Sequence, residues 1–303
     1  MPNNTVKDRN VVFRIVTDRI VNMLQQGQIP WERPFITSLN ASRGYDMKPG
    51  DTYTGINRFL IPVPGEYLTR RMVEKYHGEI INDRDYWIAT WYAQVPNRAA
   101  DDEEPAGTHP AFRYYPVYHI SNVTGIRSRL EGREESAIRS NVNADYLVET
   151  FRELSGFGIR TDDSVREPEY DVDYDCAVLP ARRKFVNDES YYSALFYGLA
   201  LSGWKHLNDK ARVRTASDTA TEDGEYTCEK LIAEMGASML MSYCGMDTSR
   251  VVRNNAARIQ GWITALGADV RLVEIAAKQA EKTVRFILAT MPELEASPVQ
   301  AVA

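Results

Sequence analysis

Two short stretches of the chain place aromatic rings beside cations, the combination that holds single-stranded nucleic acid, and a third adds cations alone. Bases stack on the rings while neighbouring Lys or Arg groups follow the phosphates. PWERPF brings Trp31, Arg33 and Phe35 together in a loop stiffened by two prolines. TYTGINR adds Tyr53, Asn57 and Arg58, and LTRRMVEK adds Arg70, Arg71 and Lys75. Each has a plainer reading: Trp31 as an anchor of its loop, Arg70 and Arg71 as solvated helix charges. Trp87 and Trp91, four apart in DYWIATWYAQV, share one face of a strand and read as core side chains.

Metal chemistry finds much less to work with. His77, His109, His119 and His206 are scattered, and none has a second histidine at helical ligand spacing. Cys176, Cys228 and Cys244 form no C-x-x-C pair and read as small buried hydrophobes rather than as a disulfide framework. No cofactor is expected.

With 303 residues, 44% hydrophobic and 26% charged, the chain has an ordinary globular composition and enough length for two domains. It contains no apolar run of about 18 residues, so no membrane partner is expected. MPNNTVKDRN lacks the profile of a secretory signal, which points to the cytoplasm of a cell, its own or a host. The net charge of −6 divides unevenly: residues 1–95 carry +2 and residues 96–303 carry −8. A polyanion would therefore meet the N-terminal part, since phosphates are held by local cations.

These residues must be positioned by elements that the pattern partly reveals. Val11, Val12, Ile15, Val16, Ile20, Met23 and Leu24 recur at helical spacing and stop at Gly27, predicting a helix over about 7–26. GEYLTRRMVEKYHG reads as a short helix, DYWIATWYAQV as a strand, and RYYPVYHISNVTGI as two extended runs. The acidic segment 95–110 reads as a loop, and REESAIRSNVN lies in a linker. Beyond it, ADYLVETFRELSGFG reads as a helix closed by glycine. In EPEYDVDYDCAVLP, Tyr170, Val172, Tyr174, Cys176 and Val178 alternate as in a half-buried strand or hairpin. SYYSALFYGLALSG, ending near Gly203, then CEKLIAEMGASMLMSYCG and two further segments, are helical.

The order of these pieces resembles the ArdC family of antirestriction proteins and the related primase-associated proteins of conjugative plasmids. The first half carries it in TDRIVNMLQQGQIPWERPF, YTGINRFL and YPVYHISNVTGI. The second half carries it in EYDVDYDCAVLPARRKF, YYSALFYGLALSG, CEKLIAEMGA and NNAARIQGWITALGADVRLVEIAAKQAEKTVRFIL. The resemblance covers nearly the whole chain. It implies an α+β protein of two domains: a single-stranded-DNA-binding domain over 1–126 with its acidic loop at 95–110, a linker at 127–143, and a zincin-like domain over 144–303. The latter is expected to be mostly helical with a small sheet. The implied partners are single-stranded DNA and a host defence protein, in the service of a plasmid or phage.

The departure lies in the zinc motif. The family carries F-H-E-L-A-H, of which Phe196, Leu199 and Ala200 survive here, while Tyr197, Gly198 and Leu201 stand at the His, Glu and His positions. The third ligand comes from an E-x-L-x-A-E helix, which retains both Glu229 and Glu234. H-E-x-x-H works because residues i and i+4 aim two imidazoles at one zinc, while the glutamate deprotonates the bound water. Tyr197 and Leu201 keep the spacing without the nitrogens. His206 lies nine residues beyond Tyr197, on the opposite helix face. No catalytic residue and no metal are expected, only vestigial positions. Two alternatives stay open. One is a hydrolase with a rebuilt site, drawing on Asp173, Asp175, Glu229 or Glu234 to hold a harder cation such as Mg²⁺. The other is an inhibitor that recognises a host protein and no longer binds DNA.

Overall fold

A long N-terminal helix and a four-stranded sheet enclose the core of the first unit. In the computed structural model, residues 10–32, 42–48, 51–61, 63–97, 107–130, 143–165, 168–208, 226–248, 251 and 255–291 are described. Helix α1 (Val11–Gln25) buries Val12, Phe13, Val16, Ile20 and Leu24, the apolar stripe of its sequence. Gly27, at φ 77°, then turns the chain away from it. There follow β1 (Ser42–Gly44), α2 (Asn57–Leu60), β2 (Gly65–Leu68), α3 (Arg70–Lys75), β3 (Glu79–Ile80), β4 (Trp87–Pro96), β5 (Thr108–His119) and β6 (Val123–Thr124). The main sheet runs β1-β2-β5-β4, and β3 pairs with β6. β4 and β5 form a long antiparallel hairpin whose register sets Trp87 against Val117 and Trp91 against Arg113.

One expectation is corrected in this unit. GEYLTRRMVEKYHG is not one helix: Gly65–Leu68 is a strand, and the helix begins only after Thr69. The Thr69 hydroxyl accepts from the Met72 N–H, an N-cap that fixes the start. RYYPVYHISNVTGI does form two extended runs, the end of β5 and the short β6, separated by a tight turn over Ile120–Asn122.

The second unit contains α4 (Ala144–Ser155), β7 (Gly158–Thr161), β8 (Glu169–Asp171), β9 (Cys176–Leu179), α5 (Asp188–Leu207), α6 (Cys228–Tyr243), α7 (Asn255–Ala268) and α8 (Leu272–Leu288). Its small sheet has the order β7-β9-β8, with β7 parallel and β8 antiparallel to β9. Helix α5 is the hub, apolar around most of its circumference, as a helix packed on several sides must be. It starts at Asn187, whose side chain accepts from the Ser190 N–H, and it does not stop at Gly203. A Cβ at Gly203 would lie 2.9 Å from the Ile287 side chain of α8, so this glycine makes room for a neighbouring helix rather than ending its own.

The alternation across residues 170–178 also breaks. Val172–Asp175 form the turn between β8 and β9, and Val172 and Tyr174 stand 61% and 77% exposed. The Asp171 carboxylate accepts from the N–H groups of Asp173 and Tyr174, folding the chain back before a longer strand can form.

The two units meet across one continuous buried cluster, which runs from Val12 and Phe13 through Trp31 and Phe112 to Trp262, Leu266 and Val284. Helix α1 lies on α7, and the Thr17 hydroxyl donates to the Val270 carbonyl at 2.7 Å. Residues 127–130, placed in the linker, are tied back to the first unit: the Glu66 carboxylate accepts from the Ser128 hydroxyl and the Arg129 N–H. Residues 131–142 and the acidic segment 98–106 lie outside the described residues.

Candidate functional site

Helix α5 presents each of its faces to a different neighbour. Ala200 faces α6, where its Cβ sits 2.9 Å from the position a Cβ would take on Gly236. Gly198 faces β9, and a Cβ there would lie 2.9 Å from the Ala177 Cβ. Tyr197 and Leu201, one turn apart, share a half-buried face. As donors the three positions supply a phenol, no side chain and an isobutyl group. A carboxylate at 198 has no room while β9 lies where it does. These residues do not fit a zinc ion of the H-E-x-x-H type.

On α6 the two glutamates separate. Glu229 is seven residues, about two turns, before Gly236 and so shares the side of the helix that faces α5. Glu234 points elsewhere. Its carboxylate accepts from Arg258 twice, at 2.9 and 2.7 Å, and from the Trp31 indole N–H at 2.9 Å. Arg258 also pairs with Glu32 at 2.5 Å. Burial opposes the charge of this guanidinium, but Glu234 and Glu32 more than offset it and raise its pKa. Glu234 therefore belongs to the contact between units.

Asp175 has φ 47°, a left-handed conformation that Asp tolerates better than most residues. Its carboxylate accepts from the Tyr170 hydroxyl at 2.5 Å and the Ser202 hydroxyl at 3.1 Å, with His206 Nε2 at 3.0 Å. This knot pins the β8–β9 turn to the end of α5, where the helix continues past Gly203 to carry His206. Asp173 is exposed on the same turn. The four carboxylates proposed for a rebuilt cation site are not brought together, and no group of three His, Cys, Asp or Glu suited to a metal occurs among the described residues.

In the first unit the expected nucleic-acid residues divide sharply by burial. Trp31 is 1% exposed; its ring packs edge-on against Trp262 at 6.2 Å, and its carbonyl accepts from Ser238. Tyr53 is 5% exposed, and burial raises the pKa of its hydroxyl. Neither ring offers a face to a base, which corrects the expectation of a stacking platform there. Asn57 holds the outer edge of β4: its amide donates to the Thr90 carbonyl at 2.8 Å, and its carbonyl accepts from the Thr90 N–H at 2.7 Å. Arg58 reaches Glu281 of α8 at 3.5 Å. Burial works against its charge, while Glu281 and Tyr243 outweigh that and raise its pKa. Arg70 and Arg71 are exposed on α3, Arg70 paired with Asp83 and lying over the Tyr118 ring. Arg33 and Phe35 lie outside the described residues.

The spacing of Trp87 and Trp91 alone predicts a core position for both, and for Trp91 the structure corrects this. Trp87 is half-buried, but Trp91 is 43% exposed on the outer part of β4. Across the hairpin from it stands Arg113, also exposed, and diagonally Tyr115, with ring centroids 4.9 Å apart. The alternation of β5 puts Arg113 and Tyr115 on one face, and that was the available signal. Only the pairing register joins them to Trp91.

Comparison with known proteins gives two family matches along the chain. Residues 11–118 match the family described as the N-terminal domain of anti-restriction factor ArdC, and residues 147–279 match a zincin-like metallopeptidase family. The crystal structure of the antirestriction ArdC protein from the R388 plasmid, in its metal-free form, is similar with a TM-score of 0.67 at 20% identity, covering 92% of this chain and 97% of that one. Its Mn(II)-bound form is similar with a TM-score of 0.64 at 20% identity and the same coverage. No curated protein matches the chain. Among the described residues no helix is long and apolar enough to cross a membrane.

Proposed function

We propose that the chain is an ArdC-like antirestriction protein that binds single-stranded DNA, a reading supported by its match to the ArdC N-terminal domain family over 11–118 and to a zincin-like metallopeptidase family over 147–279. Its second unit, on this reading, acts without peptidase activity. It serves a mobile element by shielding entering DNA from a host defence, in the cytoplasm of the recipient cell.

The observation that carries the second half of this reading is the contact between Gly198 and Ala177. A zincin needs a glutamate beside its first histidine to deprotonate the attacking water. At that position the chain has a glycine, and β9 fills the space the carboxylate would need. Tyr197 and Leu201 cannot replace imidazole, and Glu234 is engaged by Arg258 and Trp31. A lone Glu229 cannot hold zinc, since catalytic sites use about three protein ligands. The second unit then serves as a partner to the first, across the shared core.

Two measurements on the full chain test the proposal. A labelled oligonucleotide titrated at two salt concentrations should bind as a single strand more tightly than as a duplex, and more weakly at higher salt. Elemental analysis of protein purified without chelators should find no stoichiometric zinc. About one retained zinc per chain would overturn the pseudopeptidase reading, and no single-strand preference would overturn the DNA-binding one.

A further inference from the structure

The middle of the β4–β5 hairpin sets a ring and a cation opposite each other in a pairing that no motif in the sequence spells out. Trp91 and Arg113 are directly opposite each other in the register, so both side chains leave the same face of the sheet, at the spacing of a cross-strand pair. Of the five tryptophans, Trp31, Trp204 and Trp262 are buried and Trp87 is half-buried; Trp91 alone is exposed. Arg113 has no carboxylate partner among the described residues, whereas Arg58, Arg70, Lys75 and Arg129 each have one.

The ring is braced from behind. Tyr115 meets it edge-on at 70°, and Tyr115 is itself half-buried against the main core. The strand beneath is held at the adjacent residue, where Asn57 bonds both backbone groups of Thr90. Bracing matters because an exposed ring that is already ordered loses little freedom when a base stacks on it. Asn57 and Tyr115 thus act as positioning residues for Trp91.

We propose that Trp91 is the base-stacking platform of this protein and Arg113 its adjacent phosphate contact, together taking a single-stranded oligonucleotide without regard to sequence. The inference rests on the single-stranded-DNA reading above and locates its site. A ring face accepts any base, and one guanidinium beside it follows the backbone, so affinity depends on strand state more than on sequence.

The test uses the full chain and a short oligothymidylate. Stacking on Trp91 should quench the tryptophan emission in proportion to binding. Trp91→Ala should remove that quench and weaken binding by about 5- to 150-fold, the range of one lost stacking contact. Trp91→Phe should recover much of the affinity without the quench. Arg113→Ala should lower the slope of log affinity against log salt by about 0.7, one phosphate contact on a single strand. Tyr174→Ala, an exposed ring of the second unit, should bind like the parent. If Trp91→Ala and Arg113→Ala, with melting curves like the parent, keep its affinity and salt slope, the platform lies elsewhere while the parent's binding stands. If the parent itself does not bind the strand, the DNA-binding reading fails and this site with it.

Discussion

Replacing Gly198 by alanine measures the contact that closes the zincin helix, and its sign can be set against a matched substitution in the same chain. In a helix interior alanine is favoured over glycine by roughly 0.5–1 kcal/mol. At Gly198 the new methyl would sit 2.9 Å from the Ala177 Cβ, closer than carbon atoms pack, and both belong to the rigid junction of α5 and β9. Forcing an extra methyl into a filled core costs typically about 1–3 kcal/mol. The steric cost exceeds the gain, so Gly198→Ala should destabilise by roughly 1 kcal/mol, lowering the melting temperature by a few degrees. Gly267, on the exposed side of α7, has nothing within 4 Å of its Cβ position, so Gly267→Ala should stabilise instead. Urea unfolding of the parent and both variants, read by circular dichroism, gives the two signs directly. Adding Ala177→Gly to Gly198→Ala should recover part of the loss as a coupling energy, because the two methyls compete for one space. If Gly198→Ala raises the midpoint as Gly267→Ala does, β9 does not press on α5 there, and a carboxylate at position 198 would have room.

Two further outcomes follow from buried groups. Trp31→Ala should cost about 3–5 kcal/mol, as other large-to-small core changes do, while the folded variant keeps its affinity for single-stranded DNA; a stable variant with weakened binding would return Trp31 to the DNA surface. Burial raises the pKa of the Glu274 carboxyl, against the smaller opposing effects of Tyr92, Lys278 and Arg271. The native state therefore holds that proton more tightly than the unfolded chain, and the contribution to stability is full at acid pH and lost as pH rises through the raised pKa. Glu274→Gln should consequently gain on the parent in melts taken from about pH 4 towards neutrality, and a gap that stays constant with pH would count against the burial argument.

The sequence by itself determined the long helices and the order in which the elements follow one another. The stripe Val12, Val16, Ile20 and Leu24 specified α1, and the glycine-closed pattern of ADYLVETFRELSGFG specified α4, because helical periodicity is a local property of the chain. It also determined the absence of histidines from the H-E-x-x-H positions, which is a matter of residue identity alone. What it could not determine were relations between distant residues. PWERPF carries the same letters whether Trp31 faces solvent or inserts between Glu234, Ser238 and Trp262, more than 200 residues away. Gly198 and Gly203 read locally as weak points of a helix, yet the tertiary structure uses them as the places where β9 and α8 come close. Trp91 and Arg113 are 22 positions apart, and only the hairpin register sets them side by side. Periodicity tells which face of an element is apolar; which neighbour covers that face, and which ring is left uncovered, is decided by packing among elements far apart in the chain.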